Sequence, residues 1–116
     1  MIPYVETATF PQAVVDKMKH LELMKYFFKK PYGVGTSCLT QGVLIAELTR
    51  IDPGLATVFL VQAGLLGFTI EALGSEEQKA KYLPKIISME WIGGWALTED
   101  KIGSDASNLN TTSKKT

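Results

Sequence analysis

The side chains that most often do chemistry are few here, and their spacing excludes most of what they could do. His20 is the only histidine, and no cysteine, histidine or carboxylate set surrounds it at ligand spacing, so no metal site is expected. Cys38 has no basic partner nearby in sequence and reads as an inert buried thiol rather than a nucleophile. Nothing in the sequence places His20 beside Ser37, Ser75 or Ser104 as a Ser–His pair, and no glycine-rich dinucleotide fingerprint follows a strand. Glu47 and Glu71 lie on apolar helices, where burial can raise a carboxyl into the range of a general base. Nothing converges on either, so pairing with Arg50 or a lysine, or exposure, is the expectation, and no catalytic residue is assigned.

One stretch stands apart: Trp95-Ala96-Leu97-Thr98-Glu99-Asp100-Lys101-Ile102-Gly103-Ser104-Asp105. An apolar strand leading into hydroxyl, glycine and hydroxyl can lay backbone N–H groups and the Thr98 hydroxyl beside a flat heteroaromatic ring. Gly103 lets the backbone approach a diphosphate closely, and Ser104 can donate to it. An ordinary strand followed by a Gly-Ser-Asp turn explains the same pattern, and pattern alone favours that plainer account.

The elements that would position this stretch are mostly helical. An extended segment is expected up to Phe10-Pro11. Ala13 to Phe28 then carries Val14, Met18, Leu21 and Met24 or Lys25 at three- and four-residue steps, with a lysine-rich solvated face. Pro31-Tyr32-Gly33-Val34-Gly35 must be a loop. Ser37 caps a helix running to about Ile51, with Leu44, Leu48 and Ile51 as its apolar stripe. Asp52-Pro53 restarts the chain as a new helix, the carboxylate capping free N–H groups and proline suiting the first position. That helix ends near Leu73-Gly74, where glycine accepts a left-handed stop. Ser75-Glu76-Glu77-Gln78 is a capping box, and Ala80, Leu83, Ile86 and Ile87 bury one side of the helix it opens. Pro84 should bend or split this helix near Leu83. Trp91 to Leu97 reads as a strand, Gly103-Ser104-Asp105 as a turn, and Leu109 to Ser113 as a second short strand.

Composition bounds the function class. The chain has 116 residues, 46% of them apolar and 21% charged, with twelve basic and twelve acidic side chains. That balance offers no basic stripe for nucleic acid. A single cysteine excludes an internal disulfide framework and fits a reducing setting. The opening residues lack the basic and apolar regions of a secretory signal. Residues 54–73 approach the length of a membrane span, but Thr57, Gln62, Thr69 and Glu71 interrupt them and no basic flank sets an orientation. The central helix of a bundle explains the run, and no membrane span is expected.

Gly74-Ser75-Glu76-Glu77-Gln78-Lys79-Ala80-Lys81-Tyr82-Leu83-Pro84, followed by Trp95-Ala96-Leu97-Thr98-Glu99 and Gly103-Ser104-Asp105, resembles the acyl-CoA dehydrogenase and acyl-CoA oxidase family. There a G-S-x-x-Q-K-x-x-Y-L-P segment closes the N-terminal helical domain. A W/Y-x-x-T-E-P-x-x-G-S-D segment then opens the middle β domain. Two motifs in the right order, about ten residues apart, are far more specific than either alone. Glu47-Leu48-Thr49-Arg50-Ile51-Asp52 resembles the family's E-x-x-R-x-D helix end. The similarity runs from about Phe10 to Thr112, and the W-A-L-T form and the Gly103–Ser107 tail resemble short-chain peroxisomal acyl-CoA oxidases most, with glutaryl-CoA dehydrogenases a near alternative.

The resemblance implies a mainly α fold, with the N-terminal helical domain over 1–90 and a truncated start of the β domain over 91–116. It implies FAD as cofactor, with Trp95, Leu97 and Thr98 lining the flavin ring. Gly103 and Ser104 would contact the diphosphate, with Ser104 also near an acyl-CoA substrate. Homo-oligomers are the family habit, and a peroxisomal or else mitochondrial setting follows, although Lys114-Lys115-Thr116 is not a peroxisomal address. Three departures stand out. Asp100 replaces the motif's proline, Ile102 replaces a small or polar residue, and Met18 to Lys30 is bulky and basic where relatives are glycine-rich. The family's glutamate base belongs to a C-terminal domain, so this chain alone is expected to be inactive. A degenerate helical interaction module is the rival expectation.

Overall fold

The computed structural model describes residues 2–114, so Met1 and the Lys115-Thr116 end of the tail lie outside the described residues. The fold is mainly α. Its elements in order are α1 (Ile2–Glu6), α2 (Gln12–Lys19), a 3-10 turn at Leu23–Tyr26, α3 (Cys38–Ile51) and α4 (Pro53–Leu60). A π-helical stretch at Val61–Gly67, α5 (Phe68–Leu73), α6 (Glu76–Ile87) and a 3-10 turn at Ala106–Asn108 complete it. The extended opening expected before Phe10 is the short helix α1 instead. Pro3 falls in its first turn, where a missing N–H costs nothing.

The caps read from sequence are made. Ser37 Oγ accepts from the Thr40 N–H at 3.3 Å, and Asp52 Oδ1 accepts from the Leu55 N–H at 2.8 Å, with Pro53 opening α4. Ser75 and Gln78 close the capping box from both sides, at 2.8 and 3.2 Å. Gly74, however, is extended (φ −71°, ψ 150°) rather than left-handed. Its glycine is required because a Cβ would lie 2.6 Å from the Ile70 carbonyl oxygen.

Three helical expectations change for reasons of packing. Ala13–Phe28 is not one helix: α2 stops at Lys19, Glu22 turns left-handed at φ 50°, and the 3-10 turn follows. Val15 and Met24 are both buried, yet nine residues of continuous α-helix turn about 900°, which would place them on opposite faces. Breaking the helix lets both enter one core. On α3, Leu48 is buried and Leu44 and Ile45 pack against the core, while Ile51, at the last position of the helix, is 76% exposed. On α6, Leu83, Ile86 and Ile87 are buried and Ala80 is exposed. The helix runs unbroken through Pro84, because Pro84 and the residue whose carbonyl it leaves unbonded, Ala80, both lie on the solvent face.

The core gathers Phe28, Phe59, Leu83 and Met24 at its centre, with Leu48, Leu55, Ala63, Ile86 and Met89 around them. Phe28 meets Phe68 edge to face at 5.7 Å and 73°, a favoured aromatic geometry. Each fully buried side chain of this size contributes about 1.5–3 kcal/mol. Pro53–Leu73 is long and apolar enough, by length and composition, to cross a membrane. In this fold Leu55, Ala56, Phe59, Gln62, Ala63 and Gly67 bury one side of it, against α3 and α6.

Candidate functional site

The two carboxylates weighed as bases have ordinary work. Glu47 sits 3.6 Å from Arg50 in an exposed pair, which stabilises little. Glu71 is half-buried and Oε1 accepts from the Lys29 backbone N–H at 2.9 Å, tying the loop after the 3-10 turn to α5. Cys38 is exposed rather than buried, because it occupies the outward first turn of α3 beside its cap. Among the described residues no cluster of histidine, cysteine and carboxylates could hold a metal.

The chain leaves the helices along the Trp91–Gly93 segment, and Gln62 meets it there. This side chain is fully buried within the π-helical stretch. Its Nε2 donates to the Ile86 carbonyl at 3.1 Å and the Trp91 carbonyl at 2.6 Å, and its Oε1 accepts from the Gly93 N–H at 3.0 Å. Trp91 is held from the other side by the α6 surface. Lys85 Nζ lies 4.2 Å from its ring centroid and the Tyr82 ring 6.1 Å away. An apolar groove of about 620 Å³ runs beside this segment, bounded by Leu66, Ile70, Tyr82, Trp91 and Ile92.

The expected strand at Trp91–Leu97 does not form, nor does one at Leu109–Ser113; among the described residues no strand exists beyond an isolated bridge. A strand needs a neighbour to take its ladder bonds, and nothing in the described chain lies alongside. That bridge joins Glu99 and Ile102. Each backbone N–H donates to the other's carbonyl at 3.0 Å, so Asp100-Lys101 is a tight two-residue turn. Ile102, the departure from the family pattern, is buried to 9% exposure. The turn therefore sets Thr98 and Gly103 on neighbouring limbs.

Carboxylates hold both limbs. Glu99 accepts from the Asn110 and Thr111 N–H groups at 2.9 and 2.8 Å and from the Thr111 hydroxyl. The hydroxyl bond first, then the two amide bonds, keep its carboxyl below the usual range. Asp105 accepts from the Ser107 hydroxyl at 2.7 Å and from the Asn108 amide, and these bonds lower its carboxyl in the same order. Ser104 is thus presented immediately before a closed 3-10 turn.

Of the residues singled out in sequence, Trp95 and Leu97 are 44% and 37% exposed. Thr98, Gly103 and Ser104 are exposed too. The Glu99–Ile102 turn has Thr98 on the limb that enters it and Gly103-Ser104 on the limb that leaves it; Trp95 and Leu97 lie on the same limb as Thr98. A Cβ at Gly103 would meet nothing within 4 Å, so the packing of this chain does not demand glycine there. Sequence reasoning missed the roles of Gln62, Glu99 and Asp105. Gln62 had one signal, an amide in an otherwise apolar helix. The two acids had the regular spacing of a motif whose internal bonds are not visible in one dimension.

Comparison with known proteins bears on what this surface serves. Residues 2–90 match the family model described as acyl-CoA dehydrogenase, N-terminal domain. An acyl-CoA dehydrogenase of Bacillus subtilis is 34% identical over 111 residues, covering 95% of this chain and 29% of that protein. A short-chain-specific acyl-CoA dehydrogenase of Clostridium acetobutylicum is 33% identical over 102 residues, 87% of this chain and 27% of its own length. A mitochondrial isobutyryl-CoA dehydrogenase of Dictyostelium discoideum is 33% identical over 107 residues, 91% of this chain and 26% of its own. The chain therefore spans between a quarter and a third of the relatives it matches.

Proposed function

The chain belongs to the acyl-CoA dehydrogenase family, and from that membership we propose that it supplies one wall of a site where acyl-CoA thioesters lose hydrogen across the α,β bond. In this reading residues 1–90 are the N-terminal helical domain and 91–116 begin the domain that follows. The observation that carries the proposal is the exposed surface made by Trp95, Leu97 and Thr98 on one limb and Gly103-Ser104 on the other. That surface is pinned to the helical core at Gly93 and to the tail at Glu99.

These residues fit FAD. Trp95 and Leu97 offer apolar area to a flat ring. The Thr98 and Ser104 hydroxyls make no hydrogen bond within the described chain and are exposed. Gly103 has open space where a side chain would stand, room that a diphosphate can use. When bound, FAD would accept the hydride that leaves the β-carbon. Thr98 would orient the ring edge through its hydroxyl, Ser104 would donate to the diphosphate and lie near the acyl-CoA, and Trp95 and Leu97 would exclude water from one ring face. The relatives named above are dehydrogenases, which favours a dehydrogenase over the short-chain peroxisomal oxidase suggested by the W-A-L-T form. The Dictyostelium relative favours a mitochondrial setting over a peroxisomal one. Exposed Leu39, Val43 and Leu73 support assembly with further copies or domains.

The test joins this chain to the remainder of the Bacillus subtilis relative and measures FAD dissociation constants. A hydrogen bond to a charged group is worth about 1.5–3 kcal/mol, so Ser104→Ala should weaken FAD binding about tenfold or more. Ser113→Ala is the control, because Ser107 already holds Asp105. Equal affinity for Ser104→Ala and its parent would remove the basis for the flavin assignment.

A further inference from the structure

We propose that Gln62 is the positioning residue that fixes where the flavin segment leaves the helical core. The inference rests on the flavin reading for what the segment does, and on the geometry below for how it is held. Gln62 is fully buried, and a buried amide is unfavourable unless its polar atoms are all bonded. Here they are: both Nε2 hydrogens and one Oε1 lone pair are spent, each on a backbone group. An apolar side chain would fill the same volume and leave two of those backbone groups, the Trp91 carbonyl and the Gly93 N–H, unpaired.

The three bonds are not equivalent. The Ile86 carbonyl also accepts from the Met89 N–H at 3.1 Å, so it keeps a partner without Gln62. The Trp91 carbonyl and the Gly93 N–H have no other partner among the described residues. Gly93 also presses on the same helical stretch, where a Cβ would come within 2.4 Å of Leu66 Cδ2. Beyond Gly93 the backbone makes no hydrogen bond within the described chain until Glu99. Trp95 to Thr98 therefore hang between two anchors, the Gln62 amide and the Glu99–Ile102 turn. Gln62 thus sets where this span begins, and no backbone hydrogen bond inside the span fixes that point in its place.

Hydrogen exchange on the 116-residue chain separates this role from general stability. In Gln62→Met the volume is nearly kept and all three bonds go. The Gly93 amide should then exchange about tenfold faster relative to α3 amides, the equivalent of one lost hydrogen bond. In Gln62→Glu the carboxyl can still accept from Gly93 while offering at most one donor, so Gly93 protection should return most of the way. If Gly93 accelerates no more than the α3 amides in Gln62→Met, Gln62 is ordinary core and the proposal fails. If Gln62→Met unfolds outright, Gln62→Glu decides alone: loss of Gly93 protection in step with α3 overturns the proposal, and selective retention upholds it. Neither outcome depends on flavin, so failure here is distinct from failure of the Ser104 test.

Discussion

Two glycines three residues apart in the π-helical stretch should respond to alanine with opposite signs. A Cβ at Gly67 would lie 2.3 Å from Phe28 Cζ and 2.6 Å from Cε1. Carbon atoms rest at about 3.5–4.0 Å, so the ring must retreat by about 1 Å. Phe28 has no exposed surface and is stacked edge to face on Phe68, which closes the ways out. Overpacking of this kind costs about 1–3 kcal/mol. Replacing a helical glycine by alanine returns about 0.8–1 kcal/mol, so Gly67→Ala should lose about 0.5–2 kcal/mol net. At Gly64 a Cβ would meet nothing within 4 Å, so Gly64→Ala keeps the propensity gain of up to about 1 kcal/mol. Urea denaturation followed by far-UV circular dichroism reads the difference. With a slope of about 1–3 kcal/mol per molar, the two midpoints should separate by about 1 M, with the parent between them. Phe28→Leu in the Gly67→Ala background should recover part of the loss. Midpoints that move the same way for both glycines would refute the packing deduced around Phe28.

Two further outcomes concern the loop that follows the helices. The Glu99 and Asp105 carboxyls are held below their usual range by hydrogen bonds, so the loop stabilisation they provide is complete above the ordinary carboxylate range. It is lost as pH falls through their lowered values, and Asn110 and Thr111 amide protection should therefore persist at neutral pH and fall away below about pH 4; protection unchanged in acid, or in Glu99→Gln at neutral pH, would contradict this. Asp100 opens a two-residue turn between bonded partners, the position proline favours, so Asp100→Pro should stabilise the 99–102 turn by about 0.4–1 kcal/mol, seen as slower exchange of the Ile102 amide, whereas faster exchange would mean the backbone angle there is not one proline can adopt.

Features that depend on near neighbours were legible in the order of residues alone. The caps at Ser37 and Asp52 and the Ser75–Gln78 box each join residues at most three apart, so their chemistry is written in the local order of residues. The two motifs that carry the family resemblance are local strings too, which is why membership was legible before any coordinate. Features that depend on distant partners came into view only with the fold. The Ala13–Phe28 helix breaks because Val15 and Met24 must share one core, a demand no window of periodicity contains. The strand expected at Trp91–Leu97 has good local propensity, but a strand exists only where a neighbour takes its bonds. Gln62 reaches residues 24, 29 and 31 positions away, and the Glu99 carboxylate reaches 11 and 12 positions on. A hydrogen bond acts over about 3 Å, whatever the separation along the chain, and only folding brings such groups within that range.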